Sequence, residues 1–245
     1  MSPTISFDRA VDTYDETRSL PPKVMAEVMK ELSAALERRG CSRILDVGVG
    51  TGRFASPLQD LGFRVAGVDV SIEMLKRARS KSVGFLIRGD ARRLPFKEKS
   101  FDAVLMNHIL HLIAEWREAL REIRRVAGCA LFSVTSVFPE TDTPQKAYEE
   151  RLLETGWPSI HPGIHERDLV NVLPPSESVF IVTNTEEKAA DDLLERLEKR
   201  SYSFMWEVPE EMHRVIMAGL RAEYSGKRIE SSRDLYISVW DVERF

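Results

Sequence analysis

The sequence predicts a doubly wound α/β fold built on a mostly parallel sheet of seven strands. Short apolar runs alternate with amphipathic helical patterns through the first half of the chain. A glycine-rich loop follows the first run, and acidic residues stand at or near the ends of three successive runs. Alternation at this spacing is typical of βαβ units, in which helices cover both faces of a parallel sheet.

The N-terminal region is predicted to be helical. In residues 22–39, apolar residues recur every four positions and therefore share one helical face. Two prolines suit the start of this helix and Gly40 suits its end.

The predicted strands follow in order, five before residue 137 and two after it. They are "RILDV", "RVAGVDV", "VGFLIRGD", "FDAVLMN", "CALFSVTS", "SVFIVTN" and "DLYISVW". Helices are predicted between the first five strands. After residue 137 the rhythm breaks into a proline-rich stretch with one helix, followed by a short helix near 166–173. A helical insertion at about 186–225 precedes the last strand.

Composition narrows the range of partners. The formal net charge of −4 and the pI of about 5.8 argue against a broad basic face for nucleic acid. The N-terminus has no apolar signal segment, and no run approaches the ~18–20 residues that a membrane helix needs. Cys41 and Cys129 are isolated from each other in sequence, which argues against a metal knuckle or a disulfide framework. We therefore expect a cytoplasmic protein.

The balance of charged and amide residues is unusual. Charged residues make up 30% of the chain, whereas Asn and Gln together occur at only five positions. Many charges and few thermolabile amides are typical of proteins from thermophiles. Chance bias is the alternative.

The stretch "ILDVGVGTGRF" carries the first sign of a ligand site. A strand, a glycine loop and a helix bring backbone N–H groups together, and Gly48, Gly50 and Gly52 let a ligand touch the main chain. The spacing departs from the dinucleotide fingerprint, whose third glycine position is Arg53 here. Asp46 is awkward beside a pyrophosphate and suits a cationic group such as an α-ammonium.

Two more carboxylates follow at strand ends. Asp69 ends the second strand, where an acid can accept both hydrogen bonds of a ribose diol, and Asp90 ends the third. Ligands bind at the carboxyl ends of strands in open α/β sheets, so the acids are expected to share one site. The alternative is that Asp69 caps the helix near Ile72, which Ser71 could do equally well.

With these motifs the chain resembles the class I S-adenosylmethionine-dependent methyltransferases of the small-molecule type 11 group. The matching segments are "LDVGVGTGRF", "GVDVSIEML", "GDARRLPF" and "FDAVLMNHILHLI", and "YDETR" is similar to the entry segment of the group. The resemblance implies the Rossmann-like methyltransferase fold, S-adenosylmethionine as cofactor and a small molecule as methyl acceptor.

The resemblance also implies one domain over residues 1–245. Residues 1–40 would form N-terminal lid helices and residues 41–136 the cofactor-binding half. Residues 137–245 would form the substrate-side half, with cap helices at about 186–225.

The resemblance assigns the cofactor to a defined set of residues. The implied cofactor-binding residues are Tyr14, Arg18, Asp46, Gly48, Gly50, Gly52, Asp69, Val70, Met74, Asp90, Ala91 and Asn107. Asp46 would hold the methionine ammonium and Asp69 the ribose hydroxyls. Asp90 would accept from the adenine amino group. Tyr14 and Arg18 would close over the cofactor.

Methyl transfer from a sulfonium is an in-line displacement, which needs alignment and exclusion of water rather than a nucleophilic triad. His108, just past the fourth strand, is the candidate general base or orienting group, and a packing role is the alternative. Asn107 and Thr135 stand where magnesium-dependent relatives carry acids, which favours a metal-free site. His161 and His165 enclose Pro and Gly, so a helical metal motif is not expected there.

The sequence does not identify the acceptor or the oligomeric state. Arg200 and Trp206 lie in an aromatic cluster that suits either an acceptor pocket or core packing. An RNA or protein methyltransferase, and a catalytically silent module that senses the cofactor, are the rival functions.

Overall fold

The computed structural model describes residues 7–8, 11–18, 20–138, 142–157 and 161–244, and the predicted α/β fold is confirmed. The strands are β1 (Arg43–Val47), β2 (Arg64–Asp69), β3 (Phe85–Arg88), β4 (Phe101–Met106), β5 (Ala127–Val137), β6 (Glu177–Ala189) and β7 (Arg228–Asp241). They form one seven-stranded sheet in the order β3-β2-β1-β4-β5-β7-β6.

The helices of the described residues alternate with these strands. They are α1 (Val11–Arg18), α2 (Pro22–Arg38), α3 (Ala55–Asp60), α4 (Ile72–Ser80), α5 (Trp116–Val126), α6 (Pro144–Glu154), α7 (Glu166–Val172), α8 (Ala190–Glu198) and α9 (Glu210–Tyr224). Short 3₁₀ turns follow at Leu110–Leu112, Ser203–Met205 and Val242–Arg244. The helical insertion before the last strand is therefore present as α8 and α9.

The first five strands pair in parallel. β1 lies between β2 and β4, β2 pairs with β3, and β4 pairs with β5. The strand order therefore reverses beside β1, which is the position where open α/β sheets bind ligands. In the register, Asp46 of β1 lies opposite Gly67 of β2 and Leu105 of β4.

Apolar residues on the two faces of this sheet form separate clusters. Successive residues of β1, Ile44 and Leu45, are both fully buried but belong to different clusters. Helix α2 covers one face through Val28, Leu32 and neighbouring residues, which confirms the predicted four-residue periodicity. This burial on both faces explains why the strands read as nearly continuous apolar runs.

Two compact units can be distinguished. The first comprises Met1–Val137, Gly163–Val182 and Leu235–Phe245, and the second comprises Phe138–Pro162 and Thr183–Asp234. The second unit has its own apolar core, to which α6, α8 and α9 contribute. That residues 1–245 form a single domain stays a prediction.

The cysteines that are distant in sequence are neighbours in the fold. Both are free thiols. Burial, together with a hydrogen bond to Cys129, raises the pKa of Cys41 to about 12. Among the described residues, no helix combines the length and apolar character required to cross a bilayer.

Candidate functional site

The larger recess of the first unit opens at the carboxyl ends of β1 and β2. It encloses about 640 Å³, including the space at its mouth, and its walls are mostly apolar. The predicted residues that line it are Tyr14, Gly48, Gly50, Asp69, Val70, Met74, Ala91 and His108. The structure therefore brings together the glycine loop, the end of β2 and the turn after β4.

A smaller and more polar recess of about 280 Å³ shares Tyr14 and Gly48 with the first. Asp46, Arg53 and Asn107 also line it. Burial, to which the charge of Asp69 adds, raises the pKa of Asp46 to about 7, although Arg53 opposes this shift. An acid and a guanidinium in one recess suit a zwitterionic group.

Asn107 lines the smaller recess and is buried. Its Oδ1 accepts a hydrogen bond from the Val134 N–H at 2.6 Å. Its Nδ2 is buried and has no hydrogen-bond partner among the described residues. Since a buried donor without an acceptor is costly, this amide is suited to donate to a ligand.

The carboxylate of Asp69 is built into the backbone around the larger recess. Oδ2 accepts from the Gly50 N–H and Oδ1 from the Ser71 N–H, both at 2.9 Å. Burial raises the pKa of Asp69 and these N–H groups oppose that shift. Ser71, not Asp69, caps α4, because its hydroxyl accepts from the Met74 N–H at 3.0 Å.

Three of the predicted residues line neither recess. Gly52 faces Val83, and a Cβ on Gly52 would lie 2.8 Å from Val83 Cγ2. β3 ends at Arg88, two residues before Asp90, and the Asp90 carboxylate pairs with Arg92 at 2.7 Å. The carbonyl of Arg18 accepts a hydrogen bond from Arg53 at 2.5 Å. The cofactor roles of these three residues stay predictions.

Asp15 of helix α1 contacts the glycine loop and the end of α4, and Asp8, before α1, contacts the N-terminal cap of α4. Tyr14 lines both recesses and packs edge-on against Phe7, with ring centroids 5.9 Å apart. Asp15 accepts from the Thr51 hydroxyl at 2.6 Å and pairs with Lys81 at 2.7 Å. Tyr14 of the "YDETR" segment therefore lies at both recesses, and closure of Tyr14 and Arg18 over a cofactor stays a prediction.

The turn after β4 brings His108 and Ile109 to the larger recess. The side chain of His108 is exposed, and its backbone is in the left-handed region at φ +57°. Ile109 packs against Gly48 so closely that a Cβ on Gly48 would lie 2.2 Å from Ile109 Cγ2. The general-base role of His108 stays a prediction.

Sequence reasoning missed three residues of this region. Arg53 follows the last glycine of the loop and lines the polar recess. The one sign of this in the sequence is that Arg53 occupies the position of the third glycine in the dinucleotide fingerprint. Ile109 was part of a matched segment but received no role. Glu166 is buried against the turn after β4, from a position 57 residues further along the chain than Ile109.

A histidine and carboxylate cluster lies beside that turn. Donor atoms of His111, His165 and Glu166 lie within 4.8 Å of one another. The two rings are stacked with centroids 4.6 Å apart and planes 11° from parallel. Because ring nitrogens bind metals in the plane of the ring, lone pairs of parallel rings do not converge on one point. This arrangement is not a preformed metal centre.

In the second unit, Arg200 and Trp206 are engaged in local contacts. The Arg200 guanidinium donates to the carbonyl of Val208 at 2.6 Å and pairs with Glu210 at 2.9 Å. Trp206 Nε1 donates to the carbonyl of Arg200 at 3.0 Å. These contacts favour the packing interpretation over an acceptor pocket.

Part of the chain is similar in sequence to known methyltransferases. Residues 45–128 match a family model described as a methyltransferase domain. A demethylmenaquinone methyltransferase of Renibacterium salmoninarum is 43% identical over 125 residues, which cover 49% of this chain and 52% of that protein. A malonyl-[acyl-carrier protein] O-methyltransferase of Legionella pneumophila is 29% identical over 68% of this chain and 58% of its own length. The chain thus spans little more than half of either relative.

Solved structures share the fold. The YcgJ protein of Bacillus subtilis superposes with a TM-score of 0.54 and 19% identity, covering 85% of this chain and 97% of its own. A Thermotoga maritima protein described as a possible histamine N-methyltransferase has a TM-score of 0.53 and 20% identity. It covers 95% of this chain and 97% of its own.

Proposed function

Because residues 45–128 place the chain among the class I S-adenosylmethionine-dependent methyltransferases of the type 11 group, we propose that it transfers a methyl group from S-adenosylmethionine to a small molecule. One observation carries the proposal. An apolar recess and a polar recess share Gly48 and Tyr14, and each has a carboxylate of its own, half-buried Asp69 in the first and buried Asp46 in the second. A ligand with an apolar base at one end and an amino acid at the other matches this division.

The larger recess suits the adenosine part of the cofactor. Val70, Met74 and Ala91 provide an apolar wall for the adenine ring. The Asp69 carboxylate accepts from the backbone N–H groups of Gly50 and Ser71 and has further acceptor capacity for the ribose hydroxyls.

The smaller recess suits the methionine part. The Asp46 carboxylate complements the ammonium group, and the Arg53 guanidinium complements the carboxylate. The buried Nδ2 of Asn107 supplies a further donor. We assign the carboxylate to Arg53, since Arg18 contributes its carbonyl to this region and lines neither recess.

The bound cofactor supplies an activated methyl group on a sulfonium. The work left to the protein is to align the acceptor, exclude water and, where the acceptor carries a proton, remove it. Alignment alone can contribute about 7–11 kcal/mol. His108 lines the larger recess and is the residue of this turn that we assign to orienting or deprotonating the acceptor.

The acceptor is not inferred from the relatives. One is named for demethylmenaquinone and the other for malonyl-acyl carrier protein, which are unlike in size and chemistry. We propose a small-molecule acceptor because the chain has a net charge of −4, which does not favour a polyanionic substrate.

The test combines binding with turnover. Calorimetry should show binding of S-adenosylmethionine and S-adenosylhomocysteine but not NAD. Incubation of the protein with isotope-labelled cofactor and a small-molecule extract should transfer label to one compound, identified by mass spectrometry. Binding without transfer would favour a cofactor-sensing module, and absence of binding would refute the proposal.

A further inference from the structure

The backbone of the turn after β4 forms a concave array of N–H groups. His108 is left-handed at φ +57°, and Ile109 follows at φ −124°, ψ −28°. Alternation of left- and right-handed residues points successive N–H groups toward one side, where they form an anion-binding nest. A left-handed backbone is unfavourable for a residue with a side chain and persists only where its surroundings fix it.

The carboxyl group of Glu166 occupies this nest; burial raises its pKa, and the backbone N–H groups of the turn oppose that shift. Its Oε1 accepts from the Ile109 N–H at 2.8 Å and from the Leu110 N–H at 3.2 Å. The His108 N–H also donates to the carboxylate. The side chain is only 4% exposed, so these hydrogen bonds are shielded from water.

The segment that carries Glu166 contacts the same turn at two further places. The Gly163 N–H donates to the carbonyl of His111 at 3.0 Å. A Cβ on Gly163 would lie 1.9 Å from the carbonyl oxygen of Leu110, so the approach requires glycine. The ring of His165 stacks on that of His111. Residues 163–166 therefore clamp the turn through hydrogen bonds, close backbone contact and ring stacking.

The clamped turn forms one wall of the larger recess. His108, Ile109, Leu112 and Ile113 all line it. Ile109 also packs on Gly48, so a shift of the turn would move the glycine loop as well.

We propose that Glu166 is a positioning residue for methyl transfer, and that its buried carboxylate fixes the turn in the conformation that presents His108 and Ile109 to the recess. This inference rests on the proposed function of the recess. Glu166 touches neither cofactor nor acceptor in this account and acts through the backbone of the turn.

The proposal is tested with Glu166→Ala, Glu166→Gln and a matched control, Asp102→Ala. Asp102 also accepts two consecutive backbone N–H groups on one oxygen, from Ser42 at 2.9 Å and Arg43 at 2.8 Å, at the opposite end of the sheet. Both alanine variants lose a carboxylate that accepts two consecutive backbone N–H groups, and they differ in that the Asp102 side chain is partly exposed whereas Glu166 is buried. Only the Glu166 variants should alter the recess.

Amide hydrogen exchange followed by NMR reports the clamp directly. Glu166→Ala should accelerate exchange at Ile109 and Leu110 by about tenfold or more beyond any change in Asp102→Ala. Glu166→Gln should keep most of the protection, because its amide oxygen can still accept both N–H groups. Should the alanine variant not fold, Glu166→Asp, shorter by one methylene, should show faster exchange at the same two amides.

The affinity for S-adenosylhomocysteine measures how the conformation of the turn affects binding in the recess. Glu166→Ala should bind it about tenfold more weakly, while Glu166→Gln and Asp102→Ala stay within about threefold of the unaltered protein. Unchanged exchange at Ile109 and Leu110, or an affinity loss no greater than in Asp102→Ala, would overturn the proposal. If the unaltered protein does not bind S-adenosylhomocysteine, the proposed function fails, and the exchange data still show whether Glu166 holds the turn.

Discussion

The backbone N–H of Gly50 donates to the Asp69 carboxylate at 2.9 Å, so the acid at the end of β2 shapes the glycine loop that follows β1. The same carboxylate accepts from Ser71, the cap of α4. Asp69 thus connects the glycine loop with the turn before α4 and lines the larger recess.

Replacement of Asp69 should impair folding and binding together. Asp69→Ala leaves the N–H groups of Gly50 and Ser71 without their acceptor, which should lower the free energy of unfolding by about 1–3 kcal/mol. Affinity for S-adenosylmethionine should also fall, and Asp69→Asn should lose less of both. Urea denaturation and calorimetry measure the two effects, with Glu73→Ala on exposed α4 surface as the control. An Asp69→Ala protein of unchanged affinity would contradict the ribose assignment.

Cofactor affinity should depend on the ionisation of Asp46. Because its pKa is raised to about 7, chiefly by burial, protonation below that pH removes the partner of the ammonium group. The Kd for S-adenosylmethionine should rise by up to about tenfold per pH unit below pH 7 and level off above pH 8. Asp46→Asn should bind weakly at every pH, and a wild-type Kd that is flat from pH 5.5 to 8 would exclude this role.

Ionisation of Asp46 should also lower the free energy of unfolding. Its folded-state pKa lies above the unfolded value of 3.8, so ionisation disfavours the folded state as the pH rises from 4 to 7. Asp46→Asn should therefore stabilise the protein at pH 8, by about 4 kcal/mol at most, and have little effect at pH 3. Asp102→Asn should instead destabilise the protein at pH 8 and, to a smaller extent, at pH 3, because hydrogen bonds from Arg43 and Ser42 outweigh burial and hold the pKa of Asp102 well below its usual range. Urea denaturation at pH 3 and pH 8 measures the free energy of unfolding of each variant and checks the direction of both effects.

Gly48→Ala should cost more stability than a change of backbone preference alone. Gly48 has φ +73°, and the new Cβ would meet Ile109 at 2.2 Å. Gly40→Ala is the matched control, since Gly40 has φ +66° with nothing within 4 Å of the new Cβ, and it should cost about 1–2 kcal/mol. Combining Gly48→Ala with Ile109→Ala should reduce the steric part of its cost. Equal losses at Gly48 and Gly40 in urea denaturation would show that the contact does not matter.

Helix α1 should behave as the lid over the cofactor. Its contacts with Thr51, Lys81 and Arg53 must open for the cofactor to exchange. Hydrogen exchange across residues 11–18 should slow on saturation with S-adenosylhomocysteine. Thr51→Val removes the hydrogen bond to Asp15 and should speed ligand release several-fold, whereas Thr155→Val, in the second unit, should not. Hydrogen exchange across residues 11–18 that is unchanged by the ligand would rule out a lid.

His108 is best tested with two variants. His108→Gly removes the imidazole but suits the positive φ, whereas His108→Ala removes the imidazole and keeps the backbone strain. If the acceptor is a hydroxyl or thiol, both should lower the single-turnover rate by about 10²–10⁴-fold. Arg121→Ala, on the exposed surface of α5, is the control. Unchanged rates and pH profiles in both His108 variants would leave the residue with a packing role.

The predictable part of the site is the part encoded by neighbours in sequence. Parallel strands end at one edge of the sheet, so Asp46 and Asp69 could be placed beside the glycine loop from the sequence alone. Asp90 shows where this reasoning weakens. β3 ends two residues before the end of its predicted run, and the Asp90 carboxylate pairs with Arg92, whose side chain also pairs with Glu115.

Other features depend on contacts between distant parts of the chain. Nothing local to Glu166 indicates that its carboxylate lies against Ile109, and a glutamate at the start of a helix is ordinarily solvent-exposed. The proximity of the free thiols of Cys41 and Cys129 was hidden for the same reason, because it follows from the order of the strands in the sheet rather than from spacing in the sequence.

The dependence of the turn after β4 on Glu166 limits how far the methyltransferase segment can be treated as a transferable module. Residues 45–128 match the family model, yet the carboxyl group that completes their last loop before α5 comes from outside them. Chimaeras that join this segment to the C-terminal part of a relative would have to supply an equivalent carboxylate and a glycine at the approach point now occupied by Gly163. Substitutions in the turn and in residues 163–166 should accordingly be inherited together among relatives of this chain.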